Sequence, residues 1–124
     1  MSDKVIDASA VAALAFGDSR AGQVIDAIDG HRLHAPSLLS FELMNVAWKQ
    51  LRREPATSVM VFESLADFED MRIHVRGVDS HGVVELAHKT GLSAYDASYL
   101  WLSRYLGAPL VTLDRKLAAH AKTL

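Results

Sequence analysis

Lys4-Val5-Ile6-Asp7-Ala8-Ser9-Ala10 turns, within a few residues, from a short apolar run to a carboxylate and then to the start of a helical pattern. Near the other end, Leu110-Val111-Thr112-Leu113-Asp114-Arg115-Lys116-Leu117 makes the same change: apolar run, acid, helix start. A short apolar run bounded by a turn suits a buried strand. In an α/β fold, strand C-termini and the helix starts beside them converge on one crevice. The two stretches therefore predict strands whose carboxylates are carried to a common place.

The segments between them alternate. Apolar spacing predicts helices over 9–16, stopped by Gly17, and over 20–28, stopped by Gly30. Arg32-Leu33-His34-Ala35 before Pro36 suits a short strand and an extended turn. Ser37 stands as the cap of a helix running to Arg53, with Pro55 beyond it. The helix expected over 56–70 has Val59, Phe62, Leu65, Ala66 and Phe68 as its apolar set. Arg72-Ile73-His74-Val75-Arg76 alternates like a strand. Ser80 and Ser93 stand as caps of helices over 81–89 and 94–106, with Gly91 and Gly107 after them. A strand over 108–113 and a helix over 115–122 complete the order βααβααβααβα. That order predicts an α/β fold with a mostly parallel sheet of about four strands and helices on both faces. Nothing resembles a repeat or a linker, so residues 1–124 are expected to form one domain.

Half of the 124 residues are hydrophobic and 23% are charged, which excludes a disordered chain. The absence of Cys excludes a disulfide framework and a thiolate zinc site, and fits the cytoplasm. The N-terminus lacks a signal-peptide layout, and no apolar run approaches the roughly 18 residues of a membrane span. A formal net charge of −2 does not advertise nucleic-acid binding, which must rest on local basic clusters.

Two further acids join Asp7 and Asp114. Asp96 lies in the first turn of the helix opened by Ser93, and Glu42 lies inside Leu38-Leu39-Ser40-Phe41-Glu42-Leu43-Met44-Asn45-Val46. Each has a bland alternative. Asp7 and Asp114 stand where helix N-caps stand, and Ser93-Ala94-Tyr95-Asp96 approximates a capping box. Glu42 shares a helix face with apolar residues, where a carboxylate is costly unless paired, and Lys49 is its candidate ion-pair partner. Together, four acids in one crevice repel each other and demand a cation. Oxygen donors without thiolates point to Mg²⁺ or Mn²⁺.

Other residues are expected to support them. Thr112, two residues before Asp114, and Ser9, two after Asp7, are candidate hydroxyl donors. Asn45, one turn from Glu42, is a candidate to orient it. Lys49, Arg115 and Lys116 are candidate phosphate contacts, and Arg52 and Arg53 suit either phosphate binding or solvated surface. His81, Glu85 and His88 share a helix face, which suits a metal site or a solvated surface. Tyr95, Tyr99, Leu102 and Leu106 form a helical stripe that reads better as core or dimer contact than as a base-stacking platform.

With these residues in hand, the chain resembles the PIN-domain ribonucleases, specifically the VapC-type toxins of bacterial toxin–antitoxin pairs. The resemblance rests on Val5-Ile6-Asp7-Ala8-Ser9-Ala10, Phe41-Glu42-Leu43-Met44-Asn45-Val46, Leu92-Ser93-Ala94-Tyr95-Asp96-Ala97 and Leu110 to Leu117, in that order. It implies a PIN-like three-layer sandwich and a divalent-metal-dependent endoribonuclease. Asp7, Glu42, Asp96 and Asp114 match the family's acidic quartet, and Ser9 and Thr112 its hydroxyl positions. It also implies a homodimer and a cognate antitoxin that inserts a C-terminal segment, often with a basic side chain, into the acidic groove. Family members commonly add a short strand after the last helix, and none is expected before Leu124. Two rivals remain. A phosphoacceptor receiver domain expects adjacent acids after the first strand, where this chain has Ala8 and Ser9. A non-catalytic module would use the acids only to dock a basic partner.

Overall fold

The computed structural model describes residues 2–121. Its strands are β1 (Asp3–Ile6), β2 (Arg32–Pro36), β3 (His74–Arg76) and β4 (Leu110–Val111). Its α-helices are α1 (Ala8–Phe16), α2 (Ala21–Ile28), α3 (Leu38–Arg53), α4 (Ser58–Asp70), α5 (Ser80–Thr90), α6 (Ala94–Leu106) and α7 (Arg115–Ala121), with one 3-10 turn at Pro55–Thr57. The predicted alternation is the observed one.

All strand pairs are parallel, and the sheet order is β3-β2-β1-β4. The chain steps outward from β1 to β2 to β3, then returns to the far side of β1 for β4. Parallel crossovers are right-handed, so reversing the step moves the connecting helices to the other face. The packing follows: α1 lies against α2, α3 and α4, whereas α5 lies on α6, which covers β1 and β2. The order reverses between β1 and β4, and the crevice of such a sheet opens at that reversal.

The central strand explains the core. Val5 and Ile6 are fully buried, as both faces of a covered parallel strand demand. Each such side chain contributes about 1.5–3 kcal/mol. Val11, Val24, Leu43, Leu100, Leu102 and Leu117 bring the helices onto this strand.

Several boundaries differ from expectation. Ser37 makes no side-chain cap and adopts helical dihedrals itself, so α3 starts without one. Asp79, not Ser80, caps α5, its carboxylate accepting from the Gly82 amide at 2.8 Å. The last strand is far shorter than 108–113, because the amides of Leu113 and Asp114 donate to the hydroxyls of Ser9 and Thr112 instead of to a strand neighbour. Residues 72 and 73 belong to the turn before β3, where Arg72 has φ 53°. In α4 the inward residues are Val61 and Ser64, while Val59 and Phe62 are 70% and 60% exposed. That helix is apolar on more than one face, and periodicity does not choose between faces. Lys122 and any strand after the last helix lie outside the described residues.

Candidate functional site

Asp7 is the deepest acid, only 4% exposed. It caps α1, with Oδ1 accepting from the Ala10 amide at 3.0 Å and from the Ser9 hydroxyl at 2.7 Å. Oδ2 accepts from the Thr112 hydroxyl. Ser9 Oγ in turn accepts from the Leu113 amide at 2.9 Å and lies 3.3 Å from Thr112 Oγ1. The turn after β4 is thus tied to the turn after β1 through two hydroxyls and one carboxylate. The sequence spacing puts the Thr112 hydroxyl beside the Asp114 carboxylate; in the structure it donates to Asp7 instead. β4 ends at Val111, so residues 112 and 114 are not paired on a strand.

Asp114 caps α7, its Oδ1 accepting from the amides of Lys116 (2.9 Å) and Leu117 (3.1 Å). Asp96 sits in the first turn of α6, whose cap is Ser93, with the Asp96 amide donating to Ser93 Oγ at 3.1 Å. The capping alternative therefore holds for Asp7 and Asp114, and capping is what aims both carboxylates into the crevice. Glu42 reaches the crevice from α3, and its Oε1 accepts from the Tyr99 hydroxyl.

The acids feel one another in a closed ring: Asp7 with Asp114, Asp114 with Asp96, Asp96 with Glu42, and Glu42 with Asp7. Burial holds the Asp7 carboxyl above its ordinary range, against the hydrogen bonds from Thr112, Ser9 and Ala10 and with the repulsion of Asp114. Burial also raises Glu42, with Asp96 and Asp7 adding repulsion and the Tyr99 bond opposing. Asp96 is raised by burial and by Asp114, while Lys116 pulls it down. The Tyr99 hydroxyl is pushed up by burial and by its bond to Glu42, so it stays a proton donor at neutral pH.

The supporting residues divide. Ser9 and Thr112 are in place. Asn45 makes no bond to Glu42 and faces solvent with Leu38, Phe41 and Tyr95 around an open depression. Lys49 forms no ion pair with Glu42 and is exposed, as are Arg115 and Lys116. His81 pairs with Glu85 at 3.2 Å and Lys89 with the same carboxylate at 3.1 Å, which makes that face solvated surface. Among the described residues no three His, Asp or Glu side chains stand close enough, as they are, to enclose a metal ion. Sequence reasoning missed Tyr99 as the partner of Glu42. The available signal was its place one turn beyond Asp96, on the same side of α6. No helix of the described residues is long and apolar enough to cross a membrane.

A family model described as PIN domain matches residues 4–123. Ribonuclease VapC3 of Pyrobaculum aerophilum is 36% identical over 119 residues, 92% of this chain and 91% of its own length. Ribonuclease VapC9 of Mycobacterium tuberculosis is 33% identical over 116 residues, 92% of this chain and 87% of its own length. The crystal structure of PAE2754 from Pyrobaculum aerophilum aligns with a TM-score of 0.76 at 29% identity, covering 95% of this chain and 78% of that one. In sequence and in fold, the chain belongs to the PIN domain family, in its VapC branch.

Proposed function

We propose that this protein is a divalent-metal-dependent endoribonuclease, the toxin of a type II toxin–antitoxin pair, acting through Asp7, Glu42, Asp96 and Asp114. The observation that carries the reading is the placement of four carboxylates on the turns and helix starts at the sheet's reversal point, with Asp7 held by Ser9, Thr112 and the Ala10 amide, Asp114 capping α7, and Glu42 held by Tyr99. Such a cluster is costly in a low-dielectric site unless a cation or retained protons offset its charge, and a bound cation offsets it at neutral pH. The names of the relatives, ribonucleases VapC3 and VapC9, agree with it.

The donor set fits Mg²⁺ or Mn²⁺. All donors are hard oxygens, and the acids are not gathered into a cage. Mg²⁺ keeps several waters and is held by one or two carboxylates together with substrate phosphate, which suits so open an arrangement. When bound, such an ion lowers the pKa of its water and offsets charge on the reacting phosphate. The chain's own groups do the rest. Ser9, the Ala10 amide and Thr112 fix the Asp7 carboxylate, and Tyr99 fixes Glu42. Asp7 and Asp96 would hold the ion, with Asp114 beside a second one or acting through water, and Glu42, raised and partly open, is suited to ligate or to take a proton from water attacking the phosphate. Attack by water leaves a 5′-phosphate and a 3′-hydroxyl.

The partners follow from the surface. The acidic crevice suits the basic side chain of a cognate antitoxin. Met44, Val59, Met60 and Phe62 stand exposed on α3 and α4 as apolar cover for a protein partner or a second copy in a homodimer. The reading places the protein, as one domain, in the cytoplasm with its RNA substrate.

The test is cleavage of a structured RNA pool by partner-free protein with Mg²⁺, Mn²⁺ or EDTA, beside Asp96→Asn. Cleavage that needs metal and falls about a hundredfold or more in the variant is expected, the scale of removing one group that stabilises transition-state charge. Undiminished activity of Asp7→Asn, or none in any metal from folded protein, overturns the reading in favour of an acidic docking module.

A further inference from the structure

α3 carries two kinds of surface along one solvent-facing stripe. Toward its N-terminus, Phe41 is 67% exposed beside Glu42, and Tyr95 of α6, 65% exposed, lines the same depression. Toward its C-terminus, Trp48, Lys49, Arg52 and Arg53 line a second one. There the Arg52 guanidinium lies over the Trp48 ring, 5.0 Å from its centroid, with the indole still half exposed. Phe41 and Trp48 are two helical turns apart and share a face, about 10 Å along the axis. That is the rise of about three stacked bases at ~3.4 Å each.

We propose that this stripe of α3 is a binding track for single-stranded RNA leading away from the carboxylates. Trp48 and Arg52 form one stacking platform, and Phe41 with Tyr95 forms a second, nearer the acids. The inference rests on the ribonuclease reading and adds the residues that grip the strand.

Charge complementarity chooses the occupant. No carboxylate among the described residues lies within ion-pairing distance of Lys49 or Arg52, and Arg53 donates to Gln50 Oε1 at 2.6 Å and stands 3.8 Å from the exposed Glu54 carboxylate. A cationic cluster on a chain of net charge −2, interleaved with an exposed indole, is the composition of a single-strand platform. The neighbouring face of α4 is apolar and uncharged at Val59, Met60 and Phe62, whereas the track sets Lys49, Arg52 and Arg53 beside its exposed indole, as an anionic strand requires. Glu42 lines the nearer depression with Phe41 and Tyr95, so a base stacked there brings its phosphate beside the acids. The competing explanation is that Arg52 and Arg53 merely offset the α3 dipole in its last turn.

The test reads Trp48 directly. The chain has two Trp residues, so Trp101→Phe leaves Trp48 as the sole indole. Titration in EDTA with a fluorescently labelled single-stranded oligoribonucleotide should quench Trp48 emission, and inorganic polyphosphate should not. In the parent protein, Trp48→Ala should weaken oligonucleotide binding about tenfold, and Tyr95→Ala by a similar factor, the scale of losing one stacking partner. Arg52→Gln should weaken binding and reduce its salt dependence by about one ion. With metal, Trp48→Ala should raise KM far more than it lowers kcat. A role confined to the helix dipole would lower thermal stability and leave oligonucleotide affinity unchanged. Parental affinity in Trp48→Ala overturns the track, as does Trp48 emission that ignores bound RNA or changes only with protein concentration or an added antitoxin. Cleavage with an unchanged KM in Trp48→Ala would remove the track and keep the nuclease. Quenching without cleavage in any metal would do the reverse.

Discussion

Asp7 is buried with three donors on its two oxygens, and the nature of those donors decides how it tolerates change. In Asp7→Asn the carbonyl can keep the Ser9 hydroxyl and the Ala10 amide, and the new NH₂ can donate to Thr112 Oγ1 once that hydroxyl turns away. The substitution also removes a buried negative charge next to Asp114. Metal-free Asp7→Asn is therefore expected to melt within a few degrees of the parent, or above it, while losing activity. Asp7→Ala removes the α1 cap, at about 1 kcal/mol, and strands two hydroxyls, at about 1–3 kcal/mol more. Thermal unfolding of the pair in EDTA checks this. Equal destabilisation by Asn and Ala would mean that the hydrogen-bond geometry is not what holds Asp7.

Among the elements, α5 and α6 meet at one position that admits no side chain. A Cβ on Gly82 would stand 2.5 Å from Trp101 Nε1 and 3.0 Å from the Asp79 carboxylate that caps α5. Trp101 is itself stacked on Tyr105, with ring centroids 4.9 Å apart, so the indole cannot simply swing aside. Gly82→Ala would gain helix propensity on its own, worth up to about 1 kcal/mol. The overpacking should cost about 1–3 kcal/mol and win. Lower stability in urea denaturation with a changed near-ultraviolet signal from Trp101 is the expected result. A stabilised variant would show that the two helices can part.

At the level of the whole molecule, the acid ring makes stability depend on pH and metal. Asp7, Glu42 and Asp96 hold their protons more tightly folded than unfolded. Their ordinary values are 3.8 for Asp and 4.5 for Glu. Their contribution is complete below those values and is lost as pH rises through the higher folded ones. Half-buried Asp3 and Asp18 and exposed Glu85 act the other way: their lowered values, about 2 for Asp18, cost stability only as pH falls below the usual carboxylate range. In EDTA, the melting temperature of wild type relative to Asp96→Asn should therefore fall as pH rises from the ordinary value of 3.8 toward neutrality. Saturating Mg²⁺ should close that gap, since a ligand at a hundred times its Kd adds about 2.7 kcal/mol. A wild-type advantage that grows with pH in EDTA would show that the acids do not repel one another as described.

The alternation of elements and the parallel sheet were legible in the sequence, as was the candidacy of the four acids, because strand and helix periods and acids at element ends are local features. Three of the four helix-stopping glycines, Gly17, Gly91 and Gly107, occupy left-handed cap positions for the same local reason, and Gly30 turns left-handed one residue past the α2 cap. Tertiary structure alone decided which hydroxyl serves which acid. Thr112 turned to Asp7, more than a hundred residues away, because the β1–β4 register sets Val111 beside Ile6. It also chose Tyr99 over Asn45 as the partner of Glu42, and it left Val59 and Phe62 outside a helix that is apolar on several sides. Such choices depend on contacts between distant segments, and sequence periodicity carries no information about which neighbour a side chain meets.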